Sequence, residues 1–175
     1  MTSHITPILC FVGRSNSGKT TLIERLIAEL VKEGYRIATI KHAGHGFNMD
    51  TEGKDSWRHK QAGAQTVIIT SKGSLALFTD TEQEVGVEQL RARYIGDGID
   101  LIIAEGWKSE GHPKILVVRD HIGEVEVSAE GLLAIVTNKA LEHPPSGVPI
   151  FDPDDVESLT ALISRRFTRK GDTQS

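Results

Sequence analysis

The sequence predicts an α/β domain in three layers, a mostly parallel sheet between helices with one antiparallel hairpin. Two observations carry that prediction. Ile8-Leu9-Cys10-Phe11-Val12 is a short, unbroken apolar run between Pro7 and Gly13, the pattern of a strand buried on both faces. It is followed by a glycine-containing turn and then by Leu22, Ile23, Leu26, Ile27, Leu30 and Val31 at helical spacing, with Gly34 as a stop. Arg36 to Ile40 reads as the next strand, so the N-terminal third is a βαβ unit with a right-handed crossover.

The remaining elements follow in order. Ala43 to Gly53 has no period and is read as a long loop, of the kind that carries function in compact domains. Asp55 to Ala62 predicts a short helix capped by Asp55 and stopped by Gly63. Thr66–Thr70 and Leu75–Phe78, joined by Ser71-Lys72-Gly73-Ser74, predict a hairpin forming an antiparallel edge beside the parallel sheet. Val87–Tyr94 predicts a helix, and Ile99–Ala104 a central strand. Further strands are expected at Ile115–Val118, Leu132–Val136 and Pro149–Phe151, with a small one at Gly123–Val127. A last helix is expected to start with Asp152 as its cap and Pro153 at its first position, presenting Val156, Leu159, Leu162 and Ile163 on one face. The single domain spans residues 5–168, and the tail at 169–175 is expected to be disordered.

Composition bounds the function. At 175 residues, with 38% hydrophobic and 25% charged residues, the chain suits one soluble domain. A net charge of -4 argues against broad nucleic-acid binding, which draws on a surplus of Lys and Arg. Met1-Thr2-Ser3-His4 opens no basic-then-apolar leader, and no run approaches the ~18 apolar residues of a membrane span, so a cytoplasmic protein is expected. Cys10, flanked by Leu9 and Phe11, reads as an inert core thiol.

The chemistry sits in the turn after the first strand. Gly13, Arg14, Ser15, Asn16, Ser17, Gly18, Lys19 and Thr20 form a P-loop, with Thr21 just beyond. A triphosphate needs converging hydrogen-bond donors without intervening side chains, and a glycine turn feeding a helix N-terminus supplies them. Lys19 is placed to bridge β- and γ-phosphates from a solvent-facing position, and the Thr20 hydroxyl to ligate Mg2+. Glu105, at the end of the central apolar strand, suits a carboxylate that steadies a magnesium-bound water, where Asp is the more usual residue. Asp100, at the start of that strand, is read as structural. Asp50 lies in the long loop, from which a mobile segment can sense a γ-phosphate. Lys41, His42 and His45 read as anion or partner contacts, since a zinc site would need further spaced ligands. Asn138-Lys139 is half of the guanine-reading Asn-Lys-x-Asp motif, with Leu141 where the Asp belongs, so base contact and ordinary loop both stand. Trp107 is readable either as an interface anchor or as local core.

Gly13 to Thr21, Lys41-His42, Gly53-Lys54-Asp55-Ser56 leading to Ala62-Gly63-Ala64, and Glu105-Gly106-Trp107-Lys108 together resemble the MobB family of molybdopterin-guanine dinucleotide biosynthesis adapter proteins. The resemblance runs from Ile8 to about Phe167 and includes Pro149-Ile150-Phe151-Asp152. It implies a homodimeric P-loop NTPase fold that binds GTP and Mg2+ and hydrolyses GTP weakly. It further implies a partner, the molybdenum cofactor guanylyltransferase, which joins GMP to molybdopterin. Family roles carry over onto Gly13, Gly18, Lys19 and Thr20 for phosphate and metal, and onto Asp50 and Glu105 for metal and hydrolysis. GTP over ATP rests on this resemblance. The competing reading is a P-loop small-molecule kinase, which would surround the transferring phosphoryl group with an arginine lid; Arg91-Arg93 and Arg165-Arg166 do not form one in sequence. A metal-centre maturation GTPase would normally show a His/Cys cluster, and the chain has none.

Overall fold

The computed structural model describes residues 5–44, 46–47, 51–108, 111–119, 130–141 and 143–169. They form two compact units, residues 43–86 and the remainder. The Gly123–Val127 strand and the tail beyond residue 169 lie outside the described residues.

In the larger unit, β1 (Ile8–Val12), β2 (Ile37–Lys41), β5 (Leu101–Glu105), β6 (Lys114–Val118), β7 (Leu132–Thr137) and β8 (Ile150–Phe151) make one sheet in the order β2-β5-β1-β6-β7-β8. Every pairing in it is parallel. Side chains alternate across a strand, so each central strand feeds two cores. Leu9 and Phe11 of β1, with Leu101 and Ile103 of β5, face α1 (Lys19–Lys32) and α4 (Val156–Arg166), meeting Leu22, Leu26, Leu30, Leu159 and Ile163. Ile8, Cys10 and Val12, with Ile102 and Ala104, face the other way, toward Val87 and Leu90 of α3 (Val87–Tyr94) and toward Trp107. The expected three layers are present. Cys10 is fully buried, and Trp107, buried in the second core, takes the local-core alternative.

Two details depart from expectation. The final helix starts at Val156, capped by Asp155, whose side chain accepts from Ser158 N at 3.2 Å. Asp152 instead closes a turn, accepting from Asp154 N at 2.8 Å. An Asp-Pro pair resembles a cap, but a second Asp nearer the apolar face competes for the role and wins. The hairpin is also not an edge of the parallel sheet.

The smaller unit holds α2 (Asp55–Gln61) and an antiparallel pair, β3 (Thr66–Ser71) and β4 (Ser74–Thr79), which is a separate two-stranded sheet. Its register runs from Thr66 opposite Thr79 to Ser71 opposite Ser74, and the two terminal Thr hydroxyls lie 2.8 Å apart. Lys60 ties α2 to the hairpin's start by donating to the carbonyls of Ala64 at 2.9 Å and Gln65 at 3.2 Å and pairing with Asp80.

Candidate functional site

The turn between β1 and α1 is shaped by backbone that only certain residues accept. Gly13 sits so close to β6 that a Cβ there would stand 2.4 Å from the Val117 carbonyl oxygen. Asn16 (φ 63°) and Gly18 (φ 85°) adopt left-handed conformations, of the kind from which concave anion-binding turns are built. The first turn of α1 then closes with Leu22 N donating to Gly18 O at 3.0 Å. Ser17 is buried, while Arg14, Ser15, Asn16, Thr20 and Thr21 are exposed around the loop.

Lys19 corrects the expectation of a solvent-facing cation. It is buried, and its ammonium donates to the carbonyl oxygens of Arg14 at 2.6 Å and Gly13 at 3.1 Å, with Ser17 Oγ at 3.5 Å. A lysine that begins a helix after a tight turn lays its stem back over that turn. Burial pushes its pKa below the ordinary lysine range; Glu105 opposes that shift, and Lys108 and Lys41 add to it. Burial thus disfavours the charged form of the lysine, a cost that an anion in the loop would offset.

Thr20 faces the end of β5. Its hydroxyl lies 3.3 Å and 3.4 Å from the two carboxylate oxygens of Glu105. Register brings Lys41 opposite Glu105, where their charged atoms are 3.5 Å apart. Glu105 thus sits beside Thr20 and Lys41, and its charge reaches Lys19, which also feels Lys41 and Lys108. Such an arrangement suits a polyphosphate carrying a divalent cation, which needs positive charge for its oxygens and one hard oxygen ligand for its metal. His42, just past Lys41, holds its ring 5.5 Å from Trp107, at 57°. Asp100 lies at the opposite end of β5. It is buried and takes Arg36 in a two-pronged pair, with both contacts at 2.9 Å, confirming its structural reading.

The family model for molybdopterin guanine dinucleotide synthesis protein B matches residues 8–138, which include the loop, the β5 end and the β7 end. The chain belongs to the MobB family. It is 41% identical over 137 residues to the molybdopterin-guanine dinucleotide biosynthesis adapter protein of Haemophilus influenzae, covering 78% of this chain and 77% of that one. The Escherichia coli adapter protein is 36% identical over 162 residues, covering 90% and 91%. The crystal structure of Bacillus subtilis MobB superposes with a TM-score of 0.73 at 29% identity, covering 93% of this chain and 98% of that one.

Against this MobB frame, the remaining expected site residues divide. Asn138 is exposed and Lys139 half-buried just beyond β7, where Lys139 N donates to Thr137 Oγ1 at 3.1 Å. Leu141, occupying the place of the guanine motif's acid, packs against the second core. Asp50 and His45 lie outside the described residues. Arg119, just past β6, escaped the sequence reading and turns out to lie against the P-loop. A Cβ on Gly18 would be 2.7 Å from its Nη2 and 2.9 Å from its Cζ and Nε. Which strand neighbours β1 is set by crossovers that the local sequence does not display, so no signal near Arg119 marks it.

Proposed function

We propose that this chain is a GTP-binding adapter that assists a guanylyltransferase partner in attaching GMP to molybdopterin, with weak GTP hydrolysis of its own. The observation that carries the reading is the Thr20–Glu105 pair at the mouth of a P-loop in a MobB-family chain. The loop's N–H groups, from Asn16 to Thr20, hold the β-phosphate. Lys19 exchanges the carbonyls of Gly13 and Arg14 for phosphate oxygens, trading neutral acceptors for charged ones. Thr20 and Glu105, with Asp50 from the long loop, would hold Mg2+, which would supply neutralisation of the phosphate charge. Lys41 and Lys108 steady the phosphate end, and Asn138 and Lys139 meet the guanine.

The protein works as a cytoplasmic homodimer. Support for a second copy comes from the hairpin, whose Ile68 and Leu75 are 60% and 71% exposed. Among the described residues, no helix is long and apolar enough to cross a membrane.

The test is calorimetric titration with GTP, GDP, ATP and ADP, with and without Mg2+, followed by phosphate-release assays with and without the guanylyltransferase. Magnesium-dependent GTP binding with slow turnover that changes on adding the partner is expected. Preference for ATP together with phosphoryl transfer to a small acceptor would replace this reading by the kinase.

A further inference from the structure

We infer that Arg119 is a nucleotide ligand that binds the α-phosphate, on the side of the P-loop opposite the metal. The inference rests on the nucleotide reading above and adds a residue to it.

The order of strand ends fixes the direction in which a bound nucleotide would run. Moving across the sheet from β5 through β1 and β6 to β7, the C-terminal ends carry Glu105, the P-loop, Arg119 and Asn138-Lys139 in turn. Thr20 meets Glu105 on the β5 side, so the metal and the γ-phosphate belong there. A nucleotide seated with its β-phosphate in the loop therefore runs its α-phosphate toward β6 and its base toward β7.

Arg119 stands where that chain must pass. Its Nη2, Cζ and Nε all lie 2.7–2.9 Å from the position of a Gly18 Cβ, so the guanidinium lies face-on against the glycine. Gly18 is the residue before Lys19 and caps α1. Its lack of a side chain lets a planar cation rest on the loop itself. Arg119 is exposed, and it makes no hydrogen bond or ion pair among the described residues, leaving its N–H edge for a ligand. A flat fork with fixed donors suits phosphate oxygens better than a flexible ammonium does.

A contact to a phosphate that GTP and GDP share predicts a pattern that a γ-phosphate contact does not. Arg119→Ala should weaken GTP and GDP by the same factor, roughly 10- to 100-fold, measured by calorimetry on the full chain. Arg119→Met keeps the apolar stem over Gly18 and should lose as much, while Arg119→Lys should recover part of the affinity. Thermal unfolding without nucleotide should be unchanged in all three variants. Full affinity in Arg119→Met would show that the side chain merely packs on Gly18, overturning the inference. Loss for GTP with GDP untouched would move Arg119 to the γ-phosphate and overturn it equally. If the parent chain binds neither nucleotide, the reading beneath the inference fails as well.

Discussion

The two units of this chain solve the same problem differently. The parallel sheet buries both faces of its central strands, so that Leu9, Phe11, Leu101 and Ile102 are all wholly inaccessible to solvent. The hairpin leaves much of its apolar surface in water, with Ile68, Ile69, Leu75 and Leu77 all exposed. Both segments are rich in the same residue types. What differs is layering, because parallel strands need crossover helices that cover them, whereas a hairpin closes locally and brings no cover with it. The larger unit therefore holds the loop between β1 and α1 on a packed frame, while the smaller one presents an apolar face.

The largest effect on the fold should come from opening the first core. Ile103 of β5 is 1% exposed and lies in the sheet-to-α1 cluster, so Ile103→Ala should cost about 2–5 kcal/mol in urea unfolding. A loss below about 1 kcal/mol would mean that the sheet is not the rigid half of the comparison.

Lys19→Ala should matter less to the fold and more to the ligand. Lys19 belongs to neither apolar cluster, so both cores persist without it. Removing its charge-assisted contacts to a polyphosphate should cost about 1.5–3 kcal/mol of binding or more. The pH dependence has a definite sign. Burial lowers the pKa of Lys19 in the free protein, and a bound polyphosphate would raise it again. Triphosphate affinity should thus be flat at low pH and fall as pH rises through that lowered value, with proton uptake on binding. Calorimetry in buffers of different ionisation enthalpy measures that uptake, and Lys19→Ala should abolish it.

How much of this was readable in advance depends on where the deciding contacts lie. β1 and β5 announce themselves because strands buried on both faces are continuous apolar runs. The P-loop announces itself because its geometry is local to Gly13–Thr20. The partnership of Thr20 with Glu105 was readable as two candidate metal ligands, but their meeting depends on β5 lying next to β1. Arg119 was unreadable for the same reason, since its importance comes from β6 flanking β1 on the other side. Lys19 departs from expectation because exposure of a lysine follows from residue type, which the fold of one turn overrides. Leu141 shows the converse, a break in a sequence motif that a core contact accounts for.

A smaller effect on stability is expected from Glu105→Gln, which keeps size and hydrogen bonding while removing the charge between Thr20 and Lys41. GTP binding should survive and phosphate release should fall, as the carboxylate is assigned to the metal and its water rather than to the nucleotide. Turnover equal to the parent's would make Glu105 a bystander.

The smallest effect on the fold should come from Leu75→Ser, and it sharpens the comparison most. Leu75 is 71% exposed on β4, opposite Thr70. Replacing a leucine already in water removes little buried surface, so the unfolding free energy of the isolated chain should change by no more than about 0.5 kcal/mol. If the hairpin is covered by a second copy, the same substitution strips apolar area from the interface twice, once from each protomer. Full burial of one leucine side chain is worth roughly 1.5–3 kcal/mol, so self-association should weaken by at least an order of magnitude. Light scattering across a concentration series would register a shift of the dimer toward monomer, while calorimetry should show nucleotide affinity at the P-loop unchanged. A parent chain that stays monomeric at every concentration would remove the homodimer. A Leu75→Ser protein that associates as tightly as the parent would leave the dimer standing and move its interface off this strand.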